Sequence, residues 1–170
     1  GQLAAEFVAD QTNVPAGCAI QFTDLTSGVP TSWNWTFEGG TPASSTEQNP
    51  IVIYENNGSY DVTLEVTNSN GSQTIVKEDY ISVVEGLVPE VVFSANQQSF
   101  CDDEEMIVHF TDASLYCPSS WTWSFEPNTI NFMEGTDANS QNPIVEFTEN
   151  GSYDVTLEVS NSNGSNSVTE

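Results

Sequence analysis

The chain predicts an all-β protein made of two antiparallel sandwiches in tandem, and three observations carry that prediction. Residues 58–72, GSYDVTLEVTNSNGS, return as residues 151–165 with one change, Thr67 to Ser160. An earlier block, Ser32-Trp33-Asn34-Trp35-Thr36-Phe37-Glu38, returns as Ser120-Trp121-Thr122-Trp123-Ser124-Phe125-Glu126. A repeat this long is a whole small domain, longer than one solenoid unit. Between the two blocks, runs of four to nine residues alternate apolar with polar and are separated by Gly, Asn, Pro and Ser, and no run has helical periodicity.

In the first copy the alternation places strands at 4–9, 18–24, 32–38, 51–55, 59–67 and 73–84. In the fifth of these, Tyr60, Val62, Leu64 and Val66 share one face while Asp61, Thr63, Glu65 and Thr67 share the other, the pattern of a half-buried antiparallel strand. Asn70-Gly71 and Asn163-Gly164 supply the positive-φ turn of a tight hairpin. Aligning the copies sorts the faces. Ile53 matches Glu146 and so points to water, while Val52 with Val145 and Tyr54 with Phe147 point inward. Cys18, Ile20 and Phe22 match Met106, Val108 and Phe110 as inward positions, and Gln21 matches His109 outside. The Trp strand and the Tyr strand of each copy are expected to meet across opposing layers. The copies divide as 1–86 and 87–170, joined by the short segment 84–90, in which Pro89 limits bending. Glu170 aligns with Lys77, so the last strand of the second copy is cut short. Origin in a longer array of repeats is the plainer expectation, and completion by a neighbouring molecule is the other.

One Lys, no Arg and 25 acidic residues give a net charge of −24. The acids are spread over both copies, 11 before Gly86 and 14 after it. Such a surface repels phosphate backbones and anionic lipid, which argues against nucleic acid and membrane docking as partners. No apolar run reaches the roughly 18 residues of a membrane span. Gly1-Gln2 reads as a processed or engineered start, so the lack of a visible signal peptide does not argue for the cytoplasm.

The order Trp33-Asn34-Trp35-Thr36-Phe37, Asn49-Pro50, Tyr54, Gly58-Ser59-Tyr60-Asp61-Val62-Thr63-Leu64 and Asn68 resembles the PKD domain family, named for polycystic kidney disease protein. The resemblance covers both copies. It implies Ig-like sandwiches of Greek-key type that act as spacers or interaction modules in extracellular, surface or secreted proteins, beside other domains of the same parent chain. The family commonly carries Phe-Gly-Asp-Gly after the Trp strand. This chain has Phe37-Glu38-Gly39-Gly40 and Phe125-Glu126-Pro127-Asn128 instead, so a role tied to that turn does not carry over.

Candidate sites are few. Trp35 and Trp123 read as the core aromatics that such a strand requires. Trp33 and Trp121, at the strand entrance, are the candidates for a platform binding extracellular polysaccharide or matrix protein. The run Asp102-Asp103-Glu104-Glu105 is either a solvated acidic loop or a Ca²⁺ site, the loop being favoured because no repeated ligand spacing accompanies it. No cofactor is otherwise required. Cys18 reads as a small buried hydrophobe. Cys101 and Cys117 belong to the second copy alone and are candidates for a bridge. Against it, they flank a strand whose ends lie about 20 Å apart, whereas a bridge needs Cα atoms within about 7 Å. No catalytic constellation is expected, because the one His, His109, sits on an outward position. Five Asn-x-Ser/Thr triplets coincide mostly with turns and are better explained by turn chemistry. The functions that fit are a non-enzymatic extracellular spacer or adhesion module, the polysaccharide- or matrix-binding module just named, and a self-assembling fibre segment.

Overall fold

The computed structural model describes residues 1–100 and 106–170, which separate into two compact units, Gly1–Leu87 and Val88–Glu170. No helix occurs among the described residues.

In the first unit one sheet is built from β1 (Phe7–Ala9), β3 (Ala19–Asp24), β5 (Gly40–Thr41) and β7 (Ile51–Tyr54), in the order β1-β3-β7-β5. The other contains β2 (Asn13–Val14), β4 (Ser32–Phe37), β6 (Ser44–Ser45), β8 (Gly58–Asn68) and β9 (Gly71–Val83), in the order β2-β9-β8-β4-β6. All pairings are antiparallel except β2 with β9, which is parallel. The chain passes repeatedly from one sheet to the other, so neither sheet is a simple meander. Each long strand turns its apolar set inward, as period-two alternation demands. Phe7, Ile20, Phe22, Val52 and Tyr54 come from one sheet, and Trp35, Phe37, Val62, Leu64, Val66, Ile81 and Val83 from the other. The aromatic rings meet at the centre: Phe7 lies edge to face with Trp35 at 5.1 Å and Phe22 is tilted against Phe37 at 4.9 Å.

The second unit repeats the plan with fewer strands among the described residues. One sheet is β10 (Phe93–Ala95), β11 (Ile107–Asp112), β13 (Ile130–Phe132) and β14 (Ile144–Phe147), ordered β10-β11-β14-β13. The other is β12 (Ser120–Glu126), β15 (Asp154–Asn161) and β16 (Gly164–Thr169), ordered β12-β15-β16. Its core joins Phe93, Val108, Phe110, Val145 and Phe147 to Trp123, Phe125, Val155, Leu157 and Val159.

One sequence expectation is overturned. The Trp and Tyr strands do not face each other across layers; β4 pairs with β8, and β12 with β15, as neighbours in one sheet. Both then press their apolar faces on β1-β3-β7 or β10-β11-β14, where Phe7, Phe22, Phe93 and Phe110 receive the tryptophans. The two-residue strands β2, β5 and β6 were also not anticipated, since two residues cannot display an alternation. Gly39 shows why the turn after β4 has its glycine. Its φ is +68°, and a β-carbon there would run into the Tyr60 ring.

Candidate functional site

The most organised polar cluster in each unit lies where β3 ends and β4 begins, or β11 and β12 in the second. Trp33 is half-buried and its indole Nε1 donates to Asp24 Oδ2 at 2.8 Å. Gln48 Nε2 donates to the same oxygen at 3.2 Å. The other carboxylate oxygen, Oδ1, accepts from the Thr26 backbone N–H at 3.0 Å. Asn49 Oδ1 accepts from the Asp24 backbone N–H at 2.9 Å, and the Pro50 carbonyl accepts from the Phe22 N–H. One aspartate therefore ties together the exit of one strand, the entrance of the next and the loop before β7.

The second unit reproduces this atom for atom. Trp121 Nε1 donates to Asp112 Oδ2 at 2.8 Å, Gln141 Nε2 to the same oxygen at 3.1 Å, and the Ser114 N–H to Oδ1 at 3.0 Å. Asn142 Oδ1 accepts from the Asp112 N–H at 2.8 Å. In both units the deeper tryptophan is anchored too, with Trp35 Nε1 donating to the Glu47 carbonyl and Trp123 Nε1 to the Ser140 carbonyl. Burial alone would raise the Asp24 pKa. The hydrogen bonds from Thr26, Trp33 and Gln48 outweigh it and hold the carboxyl below its ordinary value. Asp24 is thus a charged acceptor whose bonds are stronger than those of a neutral group.

Trp35 and Trp123 are buried core residues, in keeping with the reading of the Trp strand. Trp33 and Trp121 sit at the strand entrance with the polar edge of each ring committed to its aspartate. The sequence reading missed Asp24 and Asp112 as the centre of the cluster. The signal was present: Phe-Thr-Asp recurs at 22–24 and 110–112, and Gln-Asn-Pro at 48–50 and 141–143. A paired Asp and Gln-Asn preserved around a Trp is what an indole N–H acceptor network requires.

The acidic run Asp102-Asp103-Glu104-Glu105, proposed as a Ca²⁺ site, lies outside the described residues, as does Cys101. Among the described residues no three His, Cys, Asp or Glu side chains gather into a cluster that could hold a metal. Cys117 is disulfide-bonded, and so is Cys18. The reading of Cys18 as a buried small residue matched its burial and missed its covalent bond, which alternation cannot reveal. His109 is exposed, and its backbone N–H donates to Asn96 Oδ1.

Among described residues the lone Lys makes the most concentrated charged contact. Lys77 Nζ donates to the Phe7 carbonyl at 2.6 Å, pairs with Glu6 Oε1 at 2.7 Å and lies over the Phe7 ring, 4.6 Å from its centroid. Hydrogen bonding from Lys77 and from the Phe7 N–H lowers the pKa of Glu6.

Solved structures that the chain matches include a chimeric titin Z1Z2-Z1Z2 tandem functionalised with a GRGDS peptide from fibronectin (17% identity, 98% of this chain and 96% of that chain covered, TM-score 0.33). Others are fibronectin(III)-like modules of Clostridium thermocellum CbhA (12% identity, coverage 96% and 92%, TM-score 0.37) and murine CEACAM1b (15% identity, coverage 99% and 97%, TM-score 0.35). The PKD domain family matches residues 4–83 and matches again over residues 91–169. The chain belongs to the PKD domain family, as two domains in tandem.

Proposed function

We propose that this chain is a non-enzymatic spacer segment of an extracellular or surface protein, setting the distance between neighbouring modules of its parent chain. The observation that carries the reading is the duplicated aspartate–tryptophan cluster. The same polar network is spent twice on fastening strands, and in each copy the side chains with most binding potential are turned to holding the fold. A net charge of −24 supports the role, because anionic surfaces repel one another and keep repeated domains apart and soluble. A disulfide fits an oxidising compartment.

X-ray scattering on the intact chain tests this. A single narrow set of dimensions, unchanged from low to high salt, is expected of a spacer. A broad and salt-dependent distribution would contradict it. Retention on chitin, cellulose, alginate or collagen, abolished by Trp33→Ala or Trp121→Ala, would replace the spacer with a binding module.

A further inference from the structure

In the first unit β1 is an edge strand, paired with β3 alone, and its free side is closed from the opposite sheet. On the β3 side the Glu6 carbonyl accepts from the Leu25 N–H, and the Asp10 N–H donates to the Gln21 carbonyl. Strand alternation turns the backbone groups of Phe7 and Ala9 the other way. There the Phe7 carbonyl accepts from Lys77 Nζ at 2.6 Å, and the Ala9 N–H donates to the Tyr80 hydroxyl at 3.1 Å. Lys77 Nζ also lies over the Phe7 and Tyr80 rings, which meet each other edge to face at 5.5 Å. Both Lys77 and Tyr80 belong to β9, so side chains of that strand fasten β1 across the two sheets.

Three residues apart, such side chains would point to opposite faces of a regular strand. The register of β9 brings them together. Lys77 faces Val62 and Ile81 faces Tyr60, so residues 78–80 stand opposite Asp61 alone. Asp79, at φ +48°, is held in this bulge by its N–H bond to Asp61 Oδ1 at 2.8 Å. Beyond the bulge β9 takes β2 as a parallel neighbour, with Asn13 beside Ser82 and Val14 beside Val83. The Ser82 N–H donates to the Thr12 carbonyl at 2.7 Å, and the Val84 N–H to the Val14 carbonyl at 3.0 Å.

Tension along the chain enters β1 and then β2 from their amino ends and leaves β9 from its carboxyl end. Parallel strands pulled from opposite ends must slide past each other, so their bonds carry the load together instead of opening one at a time. The bonds on β1 meet the load before those on β2, because β1 comes first in the chain. We propose that the first unit is a two-stage tension element. β1 comes away first, gated by Lys77 and Tyr80, and the parallel β2–β9 pair is the second and stronger stop. The use of such an element rests on the spacer reading, whereas its mechanics do not.

The intact chain, held by handles at its two termini, is pulled at constant force while its length is recorded. Freeing residues 7–12 adds about 20 Å, at roughly 3.4 Å per residue, so a step of that size should precede one of the long unfolding events. Lys77→Met and Tyr80→Phe each delete one bond to β1 and keep the stem or the ring. Each should shorten the wait before the short step by about fivefold, the worth of one hydrogen bond, and leave the wait before the following long event unchanged. Ser82→Pro removes the donor to the Thr12 carbonyl and should shorten the second wait alone. Absence of the short step, a short step that neither β1 variant hastens, a long event hastened equally by them, or a long event unmoved by Ser82→Pro would each overturn the proposal. X-ray scattering separates this result from the spacer reading. Broad, salt-dependent dimensions beside a two-stage yield would remove the spacer and leave the tension element, and narrow dimensions with a one-stage yield would do the opposite.

Discussion

The first and second units carry the same Gly-Ser-Tyr-Asp-Val-Thr-Leu-Glu-Val segment, and the structure treats it differently in each. In the first unit the strand begins at Gly58; in the second it begins at Asp154, three residues later in the shared register. Local propensity cannot distinguish two identical segments. The difference is the partner, since Gly58, Ser59 and Tyr60 have β9 beside them while Gly151, Ser152 and Tyr153 have no paired strand among the described residues. Strand structure here is conferred by pairing and by burial of the inward face, and sequence only permits it.

The largest expected effect uses the two deep tryptophans to break that comparison. Trp35→Ala and Trp123→Ala should each destabilise their own unit by about 3–5 kcal/mol, as large aromatic truncations do. The loss should be greater at Trp35, whose surroundings are sealed on every side, than at Trp123, where solvent already reaches the neighbouring Phe93 and Phe110. Denaturant unfolding followed by tryptophan fluorescence measures both. A larger loss at Trp123 would show that the slight exposure of its neighbours does not soften the second core.

Next in size is the aspartate cluster, where the units should behave alike. Asp24→Ala strands the Trp33 indole N–H and the Gln48 amide, and Asp112→Ala does the same to Trp121 and Gln141. Each should cost about 1–3 kcal/mol at neutral pH. Asp24 also predicts a pH dependence. Its folded pKa lies below the ordinary 3.8, so its contribution is full above that value and fades as pH falls through the lower folded value. The deficit of Asp24→Ala should therefore shrink on acidification below pH 3.8, as urea titrations at several pH values would show. A deficit unchanged by acid would mean that charge plays no part at Asp24.

How much of this was legible in the sequence follows from what each feature leaves in a single chain. The sandwich, its inward residues and the core role of Trp35 and Trp123 were readable because alternation and repetition record which face is buried. Strand adjacency was not readable. The facing of Trp33 with Val66 and of Trp121 with Val159 depends on pairings that run over more than thirty residues, and no local pattern encodes which sheet a strand joins. The aspartate cluster lay between these extremes. Its members are far apart in sequence, and only their joint recurrence in both copies marks them. The disulfide state of Cys18 left no trace in the alternation that placed it in the core.

A smaller effect belongs to Lys77, which the second unit replaces with Glu170. Lys77→Met keeps the stem over Phe7 and removes the bond to the Phe7 carbonyl and the Glu6 pair. Because Glu6 is half exposed, the ion pair contributes little, and the loss should be roughly 1 kcal/mol or less and should diminish with added salt. Insensitivity to salt would assign the loss to the carbonyl bond alone.

The smallest effect is the most diagnostic of the comparison, because its sign departs from the usual one for a core substitution. Tyr54 is fully buried, and its hydroxyl finds no hydrogen-bond partner among the described residues. Burial first, and then the nearby Tyr60, push its pKa far above the ordinary value, so the group stays neutral throughout the working pH range. A buried hydroxyl without a partner gives up its hydration and receives nothing in return. The second unit carries Phe147 at this position, the same ring without the oxygen. Tyr54→Phe should therefore leave the first unit equally stable or strengthen it by up to about 1 kcal/mol, measured as the denaturation midpoint of its transition. A marked loss in Tyr54→Phe would show that the oxygen is bonded after all, and would remove this distinction between Tyr54 and its counterpart Phe147.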